Sequence, residues 1–206
     1  MKINLFAVNI SALLNSPIDD WLKYFSVERR EKILSYRFNA DRNRTVWSEL
    51  LVRCVVSEKF SCPIEKVKVN RDTKGKPHIE ELPVEISLSH AGNWVVCSIG
   101  AHSSGVDVEV DSTAALEIAK NFFLPKEYEK IISLPENLRG RQFLIYWTIK
   151  ESYFKLTAEE NFLQADSEKI LGGSGEVVGK NFFLNDGAVV GVCTYSTTPR
   201  NRNFEI

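Results

Sequence analysis

The carboxylates of Asp107, Glu109 and Asp111 alternate with valines along Gly105-Val-Asp-Val-Glu-Val-Asp111. Strand side chains alternate faces with period two, so Val106, Val108 and Val110 fall on one face and the three acids on the other. The valine face suits a core. Like charges along the other face repel, and burying them costs more. Solvation, a retained proton, or a cation held between the oxygens would relieve this. A wet edge strand and a metal-binding strand are both open readings of this stretch. A second stretch, Trp147-Thr-Ile-Lys-Glu-Ser-Tyr-Phe-Lys155, tilts the balance. In a helix, Glu151 and Lys155 share a face at i,i+4. A third carboxylate with a lysine beside it would complete an oxygen-ligand set for Mg2+, with a cation left for a phosphate.

The elements that must position these residues follow from pattern. Pro17 to Phe25 reads as a short helix, and Ser26 caps another through Leu34, with Glu28 in its first turn. A long helix runs from about Ala40 to Phe60, with Trp47, Leu50, Leu51, Cys54 and Val55 as its apolar stripe. Arg29, Arg30, Lys32, Arg37, Arg42 and Arg44 precede or open it. Such a cluster is a solvated surface or an anion site. Lys66 to Asn70 is a short strand, followed by the turn Asp72-Thr-Lys-Gly-Lys-Pro77, whose lysines flank Gly75. Val84–Ser89 and Trp94–Ile99 alternate around Ala91-Gly-Asn93, a hairpin cue, and the acidic strand is expected to complete a three-stranded meander. Ser89 and His90 end the first strand, where a structural and a functional histidine are equally open readings.

Thr113 to Phe123 and Pro125 to Leu134 read as helices, the second carrying Glu127 and Glu129. After a loop punctuated by Pro135 and Gly140, Gln142 to Leu156 is the strongest helical segment, with Ile145, Ile149, Tyr153 and Leu156 as its buried stripe. Trp147 reads as packing. Phe182–Leu184 and Val189–Tyr195 are joined by Asn185-Asp-Gly187, a hairpin cue, and a polar tail from Thr197 is expected to fray.

The 206 residues fit one domain or two halves of about 100 residues. A net charge of −1 argues against a dedicated nucleic-acid binder. Cys54, Cys62, Cys97 and Cys193 lie far apart and read as buried free thiols; His78, His90 and His102 are equally scattered, so a zinc site is not expected. The apolar stretch at the N-terminus is interrupted by Asn4 and Asn9 and reads as a first strand rather than a leader. No run approaches the ~20 apolar residues of a membrane span, which points to the cytoplasm.

Gly75-Lys76-Pro77, Ser87-Leu-Ser-His90 with Gly92, Gly105-Val-Asp-Val-Glu109 and Trp147-x-x-Lys-Glu-Ser-x-x-Lys155 together resemble the 4′-phosphopantetheinyl transferases of the surfactin-synthetase-activating type. The resemblance runs from Ser26 to about Leu156, and the last two motifs in this order and separation carry it. It implies an α+β fold of two similar halves, 1–105 and 106–206, related by a pseudo-two-fold, each a small antiparallel sheet packed with helices, with the ligand cleft between them. It implies transfer of the phosphopantetheine arm of coenzyme A to a serine of an apo acyl or peptidyl carrier protein, with release of adenosine 3′,5′-bisphosphate. Mg2+, with Mn2+ as an alternative, would be held by Asp107, Glu109 and Glu151. Arg29, Lys32, Arg44, Gly75, Lys76, Pro77, Ser89 and His90 would grip the adenosine and 3′-phosphate; Asp107 would also face the coenzyme, and Lys155 would meet its diphosphate. The base for the serine hydroxyl would be Glu151, Glu127 or a metal-bound water. A cleft within one chain fits a monomer, and fatty-acid, polyketide, nonribosomal-peptide and lysine-biosynthesis carriers all stay open. The chain departs from the family at Ala91, where serine is usual, and after Lys155, where Leu156-Thr-Ala-Glu-Glu-Asn161 replaces a Gly-x-Gly-Leu run. The alternatives are a Mg2+-dependent phosphohydrolase of a nucleotide diphosphate and a non-catalytic coenzyme A-binding module.

Overall fold

The computed structural model describes residues 3–110 and 115–196, and the backbone of 204–205. In chain order the elements are β1 (Ile3–Asn9), α1 (Asp19–Leu22), α2 (Val27–Ser35), α3 (Asn39–Phe60), β2 (Val69–Arg71), β3 (Pro77–Ile79), β4 (Glu85–Ala91), β5 (Trp94–Gly100), β6 (Ser104–Glu109), α4 (Ala115–Phe122), α5 (Pro125–Ser133), α6 (Glu136–Thr157), α7 (Ser167–Leu171), β7 (Val177–Phe183), β8 (Val189–Tyr195) and β9 (Phe204–Glu205). They form two α+β units. The first sheet has the order β4-β5-β1-β9 and packs on α3; the second has the order β6-β8-β7 and packs on α6. Each unit thus sets a 22-residue helix on a small sheet that is antiparallel apart from the β1–β9 pairing.

The expected meander is corrected. β4 and β5 form its hairpin, turning at Gly92 with φ +52°. The free edge of β5 is taken by β1, so the acidic strand β6 crosses to the second sheet and pairs with β8. The chain changes sheet between Gly100 and Ser104. β6 stays beside β4, because Ser87 Oγ accepts a hydrogen bond from the Val106 amide at 3.1 Å. Val106 and Val108 are fully buried, so the valine face is the core face expected.

Two glycines let α6 approach this strand. A Cβ on Gly105 would lie 1.8 Å from the Ser152 carbonyl oxygen, and one on Gly191, which pairs with Asp107 across the sheet, 2.5 Å from the Thr148 backbone. The glycine of the acidic motif and the helix of the lysine motif are one packing unit. Gly105→Ala should therefore push α6 outward and cost about 2 kcal/mol or more, seen as a lowered thermal midpoint; an unchanged midpoint would contradict this close approach.

Other expectations shift in detail. On α3 the buried apolar positions are Val46, Leu50, Val52, Val55 and Val56, whereas Trp47 and Leu51 are half-buried and Cys54 is exposed. Cys62 is also partly exposed, so only Cys97 and Cys193 are buried thiols, and burial pushes both up to about 12. α6 begins at Glu136 because Pro135 serves as its N-cap, and Gly140 lies inside the helix. Along it Ile149 and Leu156 are buried, while Ile145 and Tyr153 are half-buried. β3 and α7 went unread in the sequence. Of the tail, Phe204 and Glu205 pair in parallel with Ile3 and Asn4, and the rest lies outside the described residues, as does Asp111. Among the described residues, no helix is long and apolar enough to cross a membrane.

Candidate active site

Asp107 points from β6 toward α6 and is 3% exposed, so the wet-face reading fails for it. Its Oδ1 accepts from Lys155 Nζ at 2.6 Å and from Ser89 Oγ at 2.8 Å; Lys155 also donates to Ser89 at 3.0 Å. Its Oδ2 is buried with no hydrogen-bond partner. Ser87 and Ser89, two residues apart on β4, face β6 together, which explains the Ser-x-Ser spacing.

Glu109 and Glu151 are half-buried. Burial, and next the charge of Asp107, push Glu109 up to about 7; Glu151 adds to this, while the Trp147 side chain, within hydrogen-bonding reach, and Lys155 oppose it. Burial and Asp107 also raise Glu151, against the pull of Lys155. The donor set suits a hard cation, which would relieve all three groups and partner Asp107 Oδ2. Among the described residues, no three His, Cys, Asp or Glu side chains stand together as a ready metal group. Lys155 already neutralises Asp107 Oδ1.

Glu109 binds its proton more tightly in the folded chain, at about 7, than at its ordinary 4.5. Its contribution to stability is therefore lost as pH rises through that window. The metal-free protein should unfold a few degrees lower at about pH 8 than at about pH 5.5, and Mg2+ should restore the midpoint at the higher pH. A midpoint at pH 8 that ignores Mg2+ would contradict the ligand assignment.

Beside these groups lies a cleft of about 530 Å³ lined by Arg71, Lys74, Gly75, Lys76, Pro77, Ser87, Phe154 and Lys155, among others. It joins the Gly-Lys-Pro loop of the first unit to α6 of the second. Gly75 makes that turn at φ +84°, and Lys76 stands 3.7 Å from Glu85. Ala158 and Glu160, from the segment that departs from the family, also line the cleft. A hollow of about 1030 Å³ beside Val110 is lined by none of the expected site residues.

The basic residues divide. Arg44 donates to the Gly92 carbonyl at 3.0 Å and pairs with Asp41 at 2.6 Å. His90 is open to solvent at the end of β4, yet partial burial and the charges of Arg44 and then Lys155 hold its imidazole below its ordinary value. Arg44 and Lys155 thus set a positive field at His90. Arg29 pairs with buried Glu49. Arg30 and Arg42 donate to the Phe25 and Tyr36 carbonyls. Lys32 is not brought to the cleft: its ammonium sits over the Tyr36 ring at 5.6 Å, and among the described residues no hydrogen bond or ion pair links it to the lining.

Glu127 is a correction. Its side chain is fully buried, ion-paired with Lys150 at 2.8 Å, and accepts from the Ser167 and Leu124 amides. Its oxygens are committed to holding α5, α6 and α7 together, so it cannot take a proton from a carrier serine. Lys150, the other half of the pair, also donates to the Leu163 and Ala165 carbonyls. Sequence reasoning missed Ser87, Arg71 and the reach of Trp147 to Glu109. The Ser-x-Ser alternation was a signal for the first; a single arginine outside the basic cluster gave none for Arg71.

A model of the 4′-phosphopantetheinyl transferase N-terminal domain matches residues 16–102, and a model of the 4′-phosphopantetheinyl transferase superfamily matches residues 103–186. The chain is 30% identical to the 4′-phosphopantetheinyl transferase psf-1 of Bacillus pumilus, over 76% of this chain and 70% of that protein. It is 31% identical to the 4′-phosphopantetheinyl transferase Sfp of Bacillus subtilis (strain 168), over 71% of this chain and 66% of that one. It is 31% identical to the 4′-phosphopantetheinyl transferase gsp of Aneurinibacillus migulanus, over 69% and 60% respectively. The chain belongs to the 4′-phosphopantetheinyl transferase family. Its activity is that of this family, transfer of 4′-phosphopantetheine from coenzyme A to a carrier protein. The two matched models meet where the chain changes sheet, so the transferase fold is built from the two units described above.

Proposed function

We propose that coenzyme A lies in the cleft between β4, β6 and α6 with a divalent cation, Mg2+ or Mn2+, and that the acceptor is a serine of an apo acyl or peptidyl carrier protein. Adenosine 3′,5′-bisphosphate leaves. The observation that carries this reading is buried Asp107, with one oxygen on Lys155 and the other open, beside a cleft lined with cations. Residues 1–105 supply most of the cations, and residues 106–206 the carboxylates and the reactive helix.

Asp107, Glu109 and Glu151 are the residues that would hold the cation, which when bound neutralises charge on the diphosphate. Lys155 can turn from Asp107 to the diphosphate once its partner's charge is shared. Arg44 and His90 offset the remaining negative charge, and an anion among them should raise the pKa of His90. Glu151, which stands beside Asp107, is the candidate to accept the serine proton, directly or through a water. Mn2+ titration followed by electron paramagnetic resonance, with coenzyme A present, tests the metal role. Asp107→Asn and Glu151→Gln should each weaken Mn2+ binding about 10-fold or more; equal binding by both variants would remove these carboxylates from the metal site.

A further inference from the structure

Glu49 sits on α3 with a side chain 1% exposed. Its Oε2 accepts from Arg29 Nε at 3.1 Å, and its Oε1 stands 3.5 Å from Arg53 Nη2. The two arginines differ. Arg53 is buried, donates to the Val67 carbonyl and lies over the Phe25 ring at 5.8 Å, which makes it part of the packing. Arg29 has a side chain 19% exposed, and among the described residues no hydrogen bond reaches its Nη1 or Nη2. It gives its Nε to Glu49 and keeps its outer nitrogen pair open. That pair is the edge of a guanidinium that grips two oxygens of one phosphate. Arg44, by contrast, spends one Nη on the Gly92 carbonyl and the other on Asp41.

Arg71, which lines the cleft, is close enough to feel this group. Arg71 has an exposed surface, yet partial burial and then the charge of Arg29 hold its pKa below the usual arginine value, and the charge of Glu49 opposes them. Arg71 also donates to the Gly75 carbonyl at 2.9 Å, so it is fixed to the Gly-Lys-Pro loop. The charge of Glu49 offsets this repulsion between the two guanidiniums.

We propose that Glu49 is a positioning residue of the coenzyme site: it orients Arg29, so that Arg29 presents its Nη pair to a phosphate of coenzyme A. This deepens the reading above and rests on it. A merely structural carboxylate would change stability and leave the apparent affinity for coenzyme A alone.

Steady-state kinetics with an apo carrier, Mg2+ and varied coenzyme A separate these roles. Glu49→Gln should raise KM for coenzyme A about 10-fold while kcat stays within about 2-fold. Arg29→Lys keeps the charge but loses the fork, and should raise KM by a similar factor. In an Arg29→Ala background, Glu49→Gln should add less than about 2-fold, because Glu49 acts through Arg29. An unchanged KM in either single variant, or the full Glu49 effect persisting without Arg29, overturns the proposal. If Glu49→Gln does not fold, Glu49→Asp, which keeps the charge and shortens the reach to Arg29, takes its place with the same expected rise in KM, and an unchanged KM overturns the proposal. Failure of the unaltered protein to modify any carrier would instead refute the underlying reading.

Discussion

Asp107→Ala should lower turnover on the order of 100- to 1000-fold while the protein stays folded. The side chain is buried, but what it loses on truncation is mostly functional. Its open Oδ2 supports no other part of the fold, and Lys155, with a side chain 28% exposed, can release its charge to solvent. The substitution also removes the repulsion that helps to raise Glu109 and Glu151. The variant should therefore match the parent protein in thermal midpoint within a few degrees. Glu109 should titrate lower, and the dependence of stability on pH should flatten. Kinetic assays alongside thermal unfolding check both halves; full turnover in saturating Mg2+ would place the metal and the diphosphate elsewhere.

Lys150→Ala should have the largest effect on stability, a loss of about 3–5 kcal/mol, or roughly 10 °C in midpoint. Lys150 and Glu127 are both fully buried and 2.8 Å apart. Removing the lysine leaves Glu127 charged in a dry interior and frees the Leu163 and Ala165 carbonyls. Desolvation lowers Lys150, with Glu127 holding it up, so each group depends on the other. A double change, Lys150→Met with Glu127→Leu, should recover much of the loss, because an apolar pair needs no desolvation. Denaturant unfolding of the parent and the two variants measures this; a loss below about 1 kcal/mol for Lys150→Ala would mean that water reaches the pair.

The legible parts of this chain were those where local pattern and tertiary environment agree. The alternation of valine and acid located β6 and its core face, and Ser26 capped α2 as its residue type requires, accepting from the Arg29 amide at 3.2 Å. Asp107, Ser89 and Lys155, each expected at the coenzyme site from the resemblance, come from three separate elements, and the fold joins them by hydrogen bonds. What the sequence hid was partner choice. Nothing local tells β6 to leave β5 for β8; that depends on β1 filling the edge of β5. Likewise Glu127 and Glu151 are both acids on helices, each preceded by a lysine. Only the fold shows that one is sealed against Lys150 and the other stands beside Asp107. The stripe of α3 was misread because the helix is covered along much of its length, so the period of its apolar residues no longer names one face.

Intact mass of an apo carrier protein, after incubation with this chain, coenzyme A and Mg2+, tests the central claim most directly. A panel of fatty-acid, polyketide and nonribosomal-peptide carriers should be assayed side by side, with a chelator control. The account predicts that at least one carrier gains the phosphopantetheine group on a serine, with adenosine 3′,5′-bisphosphate formed in equal amount and both lost in chelator. Adenosine bisphosphate released while every carrier keeps its mass would contradict it, and would make the cleft a hydrolase site.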